Sequence, residues 1–354
     1  MSRVLFFGAT KNVALHFFCQ KGNNKIMREV ILDFPKQFEV GFEAGEKIEF
    51  LRRKFENVII CGMGGSALPG SLLQLFARNL NFKFQKFFVH RDYNLPNFAN
   101  KNSLIFAISY SGNTEETISA FKEAISKNLK VISVSSGGKL KELSNKFKTQ
   151  FIEIPSGLPP RMALGYLFSA LFSALIKLKI VPDFKKEILA LKEKLKPEKF
   201  EKEGQEIAQF LLYKIPLIYS SSSYRELARI WKINFNENSK VPAFFNYFPE
   251  LNHNEMTGIG EAKKNYRKIF RAIILKEKSD NPRNKKRMKI LAEIFKERGI
   301  ESKILNLKGK NIFEKVFSSI LLSYFSSFYL AKLQNIDPVP VKLVEEFKQK
   351  MKNG

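Results

Sequence analysis

The chain has 354 residues, 44% of them hydrophobic and 13% aromatic, enough apolar material to exclude wholesale disorder. At roughly 100–200 residues per domain, this length suits two domains. Lysine and arginine outnumber aspartate and glutamate by 60 to 34, a formal charge of +26, which draws anionic partners toward the surface.

Residues 1–26 are set apart by Gly22, Asn23 and Asn24 and are expected to form a loosely attached extension. Helical spacing runs from Asp33 to Lys54, and short β-rich runs then alternate with helical segments. Strands are expected at Val58–Cys61, Lys86–His90, Leu104–Ile108, Val131–Val134 and Phe151–Ile154. This alternation predicts an α/β fold with a mostly parallel, doubly wound sheet. After an apolar helix, Ala163–Lys177, and a charged, solvent-facing connector, Phe184–Glu203, the pattern restarts with strands at Leu217–Tyr219, Ile269–Leu275 and Ser302–Leu305. The order strand, serine-rich turn, helix occurs in both halves. The expected division is an extension (1–26), an N-terminal α/β domain (27–157), a helical connector (158–202) and a C-terminal α/β domain with a terminal helix (203–354).

Two uncharged stretches, Met162–Ile176 and Val316–Ala331, fall short of the roughly 18 residues that span a bilayer, so buried core helices and no membrane are expected. The densest basic cluster, Arg283, Lys285, Lys286, Arg287 and Lys289, lacks an arginine/glycine-rich or zinc-finger pattern, and a solvated face rather than a nucleic-acid surface is expected. Cys19 and Cys61 are the two cysteines, too few for a disulfide framework and consistent with a reducing cytoplasm. Three histidines and two cysteines without ligand spacing predict no metal centre.

The first strand runs into Cys61-Gly62-Met63-Gly64-Gly65-Ser66-Ala67, where glycines permit a tight turn and Ser66 opens a helix. Free N–H groups and the helix dipole favour a phosphate there. A dinucleotide fingerprint fits poorly, because Ala67 takes its third glycine and Asp92 comes too late, so no cofactor is expected. The third strand runs into Ser109-Tyr110-Ser111-Gly112-Asn113-Thr114-Glu115-Glu116-Thr117. Asn113 and Glu116 have capping-box spacing, which leaves Ser109, Ser111 and Thr114 as phosphate donors. In the second half Glu237 lies between two asparagines, 16 positions before His253. A carboxylate in a partly dry pocket moves protons between carbons, histidine suits ring opening near neutral pH, and Arg161 supplies a cation for a developing enediolate. On local sequence alone a helix-end acid explains Glu237, and a loop histidine explains His253, at least as well.

The Gly64-Gly65-Ser66 turn and the Ser109–Thr117 segment resemble the phosphosugar signature of sugar-isomerase (SIS) domains. Pro159-Pro160-Arg161, Asn236-Glu237-Asn238-Ser239-Lys240-Val241-Pro242-Ala243 and Pro249-Glu250-Leu251-Asn252-His253-Asn254-Glu255 resemble the bifunctional phosphoglucose/phosphomannose isomerase family. The resemblance implies two SIS-like domains and interconversion of glucose 6-phosphate, mannose 6-phosphate and fructose 6-phosphate through a metal-independent cis-enediol. It implies Glu237 as base, His253 for ring opening, Arg161 beside the enediolate, and a lysine on the terminal helix, Lys348 or its rival Lys342. Gly65, Ser66, Ser109, Ser111 and Thr114 would hold the phosphate, and a homodimer would bring His253 to the neighbouring subunit's site. Two rival readings are a non-catalytic phosphosugar sensor and a nucleic-acid-binding protein.

Overall fold

A computed structural model describes residues 24–353 apart from 52 and 85, so most of the expected extension lies outside the described residues. Helix α1 (Asn24–Asp33) already buries Met27 and Ile31, and α2 (Gln37–Glu46) follows after one 3-10 turn. The first sheet contains β1 (Asn57–Cys61), β2 (Phe87–His90), β3 (Ser103–Ile108), β4 (Lys130–Ser135) and β5 (Gln150–Glu153). Its order is β2-β1-β3-β4-β5, and every pair is parallel. β1 and β3 are buried along their whole length, which is why they read as continuous apolar runs rather than alternating ones. Helices α3 (Leu68–Asn79), α4 (Glu115–Ser126) and α5 (Gly138–Lys146) make the crossovers.

The chain leaves β1 toward β2 on one side and returns to β3 on the other. The carboxyl ends of β1 and β3 therefore flank a topological switch point, where open α/β sheets place ligands.

The second sheet contains β6 (Ile215–Ser221), β7 (Phe244–Phe248), β8 (Phe270–Lys276) and β9 (Ser302–Asn306) in the order β7-β6-β8-β9, again all parallel. β7 was not expected from sequence. Its aromatic run is five residues long and lies between Pro242 and Pro249, and flanking prolines demote such a run on local criteria. Pairing with β6, from Leu217 opposite Phe244 to Ser221 opposite Phe248, supplies what the local sequence does not.

Between the sheets lie α6 (Leu164–Lys177) and α13 (Ile312–Leu333). Much of the phenylalanine meets here: Phe38 and Phe317 have ring centroids 4.6 Å apart edge to face, and Phe76 stacks on Phe313 at 4.4 Å. One apolar core thus joins residues from both halves. Helices α7 (Lys185–Lys194) and α8 (Glu198–Leu211) each bury a face, through Ile188 and Leu191 and through Ile207, Ala208 and Leu211. The segment expected to be a solvent-facing connector is therefore amphipathic, its charges forming only the outer side.

α13 outruns the uncharged stretch because Glu314, Lys315 and Lys332 extend its two ends. By length and composition it could cross a membrane, yet 83% of its most apolar window is buried within the protein. Its Ser319, Ser323 and Ser327 hydroxyls accept from Trp231 Nε1 (3.0 Å), Asn234 Nδ2 (2.7 Å) and Asn238 Nδ2 (2.9 Å). That polar seam orients α9 (Arg225–Asn234) and the π-helical turn Phe235–Ser239 that continues it.

Candidate active site

At the end of β1 the chain makes a 3-10 turn, Gly64–Ala67, before α3. Gly65 is required by contact: a Cβ there would lie 2.8 Å from the Arg161 amide nitrogen and from the Pro160 carbonyl carbon. The glycine turn thus rests directly on the segment that carries Arg161. Ser66 is buried and its hydroxyl oxygen accepts the Tyr110 N–H at 3.0 Å, which leaves its own O–H free to donate.

The loop after β3 folds around Ser109, whose hydroxyl accepts the Gly112 N–H at 3.1 Å and lies 2.9 Å from the Thr114 hydroxyl. One of those two hydroxyls donates to the other, leaving a single O–H to point outward. Gly112 has φ +74°, and a Cβ there would meet the Gly137 carbonyl oxygen at 1.8 Å, so no other residue fits. Ser111 is exposed beside it.

The capping box expected for Asn113 and Glu116 does not form. Thr114 is the N-cap of α4 and makes no side-chain cap bond, while Asn113 Oδ1 accepts the Lys139 N–H at 3.0 Å. The long-range bond from α5 outcompetes the local one and leaves the α4 N-terminus without a side-chain cap. An uncapped helix start lined by hydroxyls is a suitable seat for a phosphate.

The corresponding strand ends of the second sheet are already filled. The Ser221 hydroxyl after β6 donates to the Asp280 carboxylate, whose other oxygen accepts the Glu277 N–H at 2.8 Å. Glu277 accepts from the Ser279 hydroxyl and pairs with Lys315 at 2.5 Å. Burial pushes the Asp280 carboxyl up; burial acts likewise on Glu277, but Lys315 and Ser279 outweigh it and hold that carboxyl down. The serine-rich turns of the two halves are therefore not equivalent: one offers free donors and the other serves the chain's own anions.

Arg161 is 1% exposed. Its Nε donates to Asn238 Oδ1 (2.5 Å), Nη1 to Glu237 Oε2 (3.2 Å), and Nη2 to the Pro338 (2.8 Å) and Val339 (3.1 Å) carbonyls. Those bonds commit four of the guanidinium's five N–H donors. Burial pulls the Arg161 guanidinium below its ordinary value, and Glu237 opposes that shift. Glu237 itself keeps 32% of its side chain open, the geometry of a carboxylate with one oxygen held and the other free for a ligand.

The structure does not bring His253 to this pair. It ends a 3-10 turn, Glu250–His253, is exposed, and its side chain makes no hydrogen bond or ion pair among the described residues. Its neighbours brace it: Asn254 caps α10 (Glu255–Gly260) at 2.6 Å, and Glu255 accepts from the Tyr219 hydroxyl and Asn246 Nδ2, both at 2.6 Å. Lys348 lies on α14 (Lys342–Asn353), 60% exposed and paired with Glu345 at 2.9 Å; Lys342 is exposed as well. Sequence reading missed the Pro338 and Val339 carbonyls, because a backbone acceptor has no residue signature, and it missed Lys240, described below. Burial pushes the Cys61 thiol up to about 12, which makes it inert. Among the described residues no group of three His, Cys, Asp or Glu side chains is placed to hold a metal.

A hydroxyl-lined switch point in one parallel sheet and a carboxylate–guanidinium pair beside the other define a two-sheet protein of the sugar-isomerase (SIS) class. Residues 200–351 match the family model of the bacterial phospho-glucose isomerase C-terminal SIS domain. The C-terminal domain of glucosamine-fructose-6-phosphate aminotransferase from Francisella tularensis shares the fold, with a TM-score of 0.69 and 15% identity over 91% of this chain and 99% of that one. The bifunctional phosphoglucose/phosphomannose isomerase of Caldicellulosiruptor bescii is 38% identical over 92% of this chain and 98% of its own length. That of Aquifex aeolicus is 34% identical over the same shares, 92% and 98%. The chain belongs to the bifunctional phosphoglucose/phosphomannose isomerase family.

Proposed function

We propose that this protein is an aldose–ketose isomerase that interconverts glucose 6-phosphate and mannose 6-phosphate with fructose 6-phosphate, without a metal. The observation that carries this reading is the backbone contact between Gly65 and Arg161, which ties the anion-binding turn to the Arg161–Glu237 pair. A phosphate held by Ser66, Ser109, Ser111 and Thr114 at the first sheet directs the other end of a hexose toward a carboxylate at the second. The division into an N-terminal SIS domain (27–157), a helical connector (158–202) and a C-terminal SIS domain (203–354) follows the two sheets and belongs to the same proposal.

In the open-chain ketose, the free Glu237 oxygen takes a proton from C1 as C1–C2 becomes a double bond and the C2 carbonyl electrons move onto O2, giving a cis-enediolate in which the O1 hydroxyl then passes its proton to O2. The carboxylic acid, partly open to water, exchanges its proton with solvent and then protonates C2 as the charge on O1 closes to the C1 carbonyl. Return to one face gives the glucose epimer and to the other the mannose epimer. Arg161 is a fixed cation whose remaining N–H faces the developing oxygen charge, and because its other donors are committed, little reorganisation is needed.

Ring opening falls to His253 together with Lys348 or Lys342. His253 projects outward on a braced turn, which supports a homodimer in which it serves the neighbouring subunit. On α14, Leu343, Phe347 and Met351 are 78%, 63% and 50% exposed along one helix face, an apolar stripe that suits an association surface.

The test is a coupled assay supplied with fructose 6-phosphate that detects both aldose phosphates, with Glu237→Gln as control. Both products are expected from the wild type and neither from the variant. Ligand binding without turnover in the wild type would favour a phosphosugar sensor.

A further inference from the structure

Glu237 sits in the π-helical turn Phe235–Ser239, and the residue that ends this turn is Lys240, at φ 55° and ψ 34°. Single π-helical turns are rare and gather at functional sites. The left-handed region is costly for a residue with a Cβ, and glycine or asparagine would occupy it more cheaply. Lys148 and Lys179 adopt the same left-handed φ, and what sets Lys240 apart is where its side chain goes. Its ammonium donates to the Glu237 carbonyl and, at 3.2 Å, to the Pro338 carbonyl. The Pro338 carbonyl also accepts from Arg161 Nη2 at 2.8 Å. One carbonyl of the C-terminal crossing is therefore shared by two cations that flank Glu237.

We propose that Lys240 is a positioning residue for the isomerisation: it locks the Glu237 turn onto the Asp337–Val339 crossing and so fixes the carboxylate opposite Arg161. This rests on the isomerase reading above and deepens it. The charged groups facing the ammonium are Arg161, Asp337 and Glu237. Burial, and next the Arg161 charge, push Lys240 down to about 8, with Asp337 and Glu237 opposing.

Above that pH the side chain is neutral, the lock loses its charge-assisted bonds, and turnover falls. Its effect on folding has the opposite sign. An unfolded lysine keeps its proton to higher pH than Lys240 does, so from pH 8 up to the ordinary lysine range stability rises with pH. At neutral pH the charged side chain therefore costs stability, which a purely structural clamp would not.

The experiment measures kcat and KM for fructose 6-phosphate between about pH 6.5 and 9.5 on the wild type, Glu237→Gln, Lys240→Met and Lys240→Arg, with melting temperatures for each. Methionine and arginine face the same backbone strain as lysine, so the comparison isolates the head group. In Lys240→Met, kcat is expected to drop about tenfold at pH 7 with KM within about twofold, no alkaline decline, and a melting temperature equal to or above wild type. Lys240→Arg is expected to keep turnover and move the alkaline decline upward, since arginine stays protonated. A Lys240→Met enzyme with wild-type kcat and pH profile, or one whose turnover falls only together with its melting temperature, overturns the assignment. A wild type no more active than Glu237→Gln overturns both this inference and the isomerase reading.

Discussion

Arg161 Nη1 and Glu237 Oε2 lie 3.2 Å apart across 76 positions of sequence, with the guanidinium buried and the carboxyl partly open. The asymmetry separates their roles. A buried cation with its donors committed cannot move, whereas a half-exposed carboxylate can meet a substrate and exchange a proton.

Replacing Arg161 should therefore damage folding and turnover together. Arg161→Met strands the Asn238 Oδ1 and Val339 acceptors, leaves the Pro338 carbonyl to Lys240 alone and leaves Glu237 without its guanidinium partner, and about 3–5 kcal/mol of stability should be lost. Arg161→Lys keeps the charge but loses the planar fork, so urea unfolding should show a smaller loss while kcat still falls about 10²-fold.

The phosphate donors should divide by their connections. Ser111 is exposed, so Ser111→Ala is expected to raise KM severalfold with an unchanged melting temperature. Ser109 organises its own loop through Gly112 and Thr114, and Ser109→Ala should raise KM and also cost about 1–3 kcal/mol through the N–H left unpaired. Steady-state kinetics beside thermal melts separate the two.

Only the first sheet should bind phosphate, because Asp280 and Glu277 already occupy the donors of the second. Calorimetry with inorganic phosphate is expected to show one site per chain, and the double variant Ser66→Ala, Ser111→Ala to show none. A site that survives in that variant would contradict the reading of the second sheet.

Hybrid dimers test whether His253 works across an interface. Glu237→Gln and His253→Gln proteins are each expected to be nearly inactive, with Glu237→Gln reduced about 10²–10⁴-fold. Mixed and refolded together, they should recover up to about a quarter of wild-type activity if each site draws its glutamate from one chain and its histidine from the other, as two-fold symmetry requires. Mixing without recovery would assign His253 to its own subunit.

The local part of the site was legible in the sequence. Gly64-Gly65-Ser66 and Ser109–Thr114 announce themselves because glycine conformations and helix starts are set within a few residues, and the two parallel sheets followed from the alternation of strands and helices. The pairing of Arg161 with Glu237 depended on a resemblance, since nothing near either residue names the other. Three features were not legible. Asn113 has capping-box spacing but bonds to the Lys139 N–H from another helix. β7 exists because β6 offers it a partner. The Arg161 bonds to the Pro338 and Val339 carbonyls span 177 and 178 positions, and a carbonyl looks the same at every residue. In each case a long-range partner overrode or supplied what short-range chemistry could not specify.

Proton transfer through Glu237 is tested most directly by running the reaction from fructose 6-phosphate in deuterium oxide and reading C2 of the aldose products by NMR. Deuterium at C2 of both the glucose and mannose epimers is expected with the wild type, and no product with Glu237→Gln. Products that retain only protium at C2, or deuterated products formed equally fast by Glu237→Gln, would contradict the account.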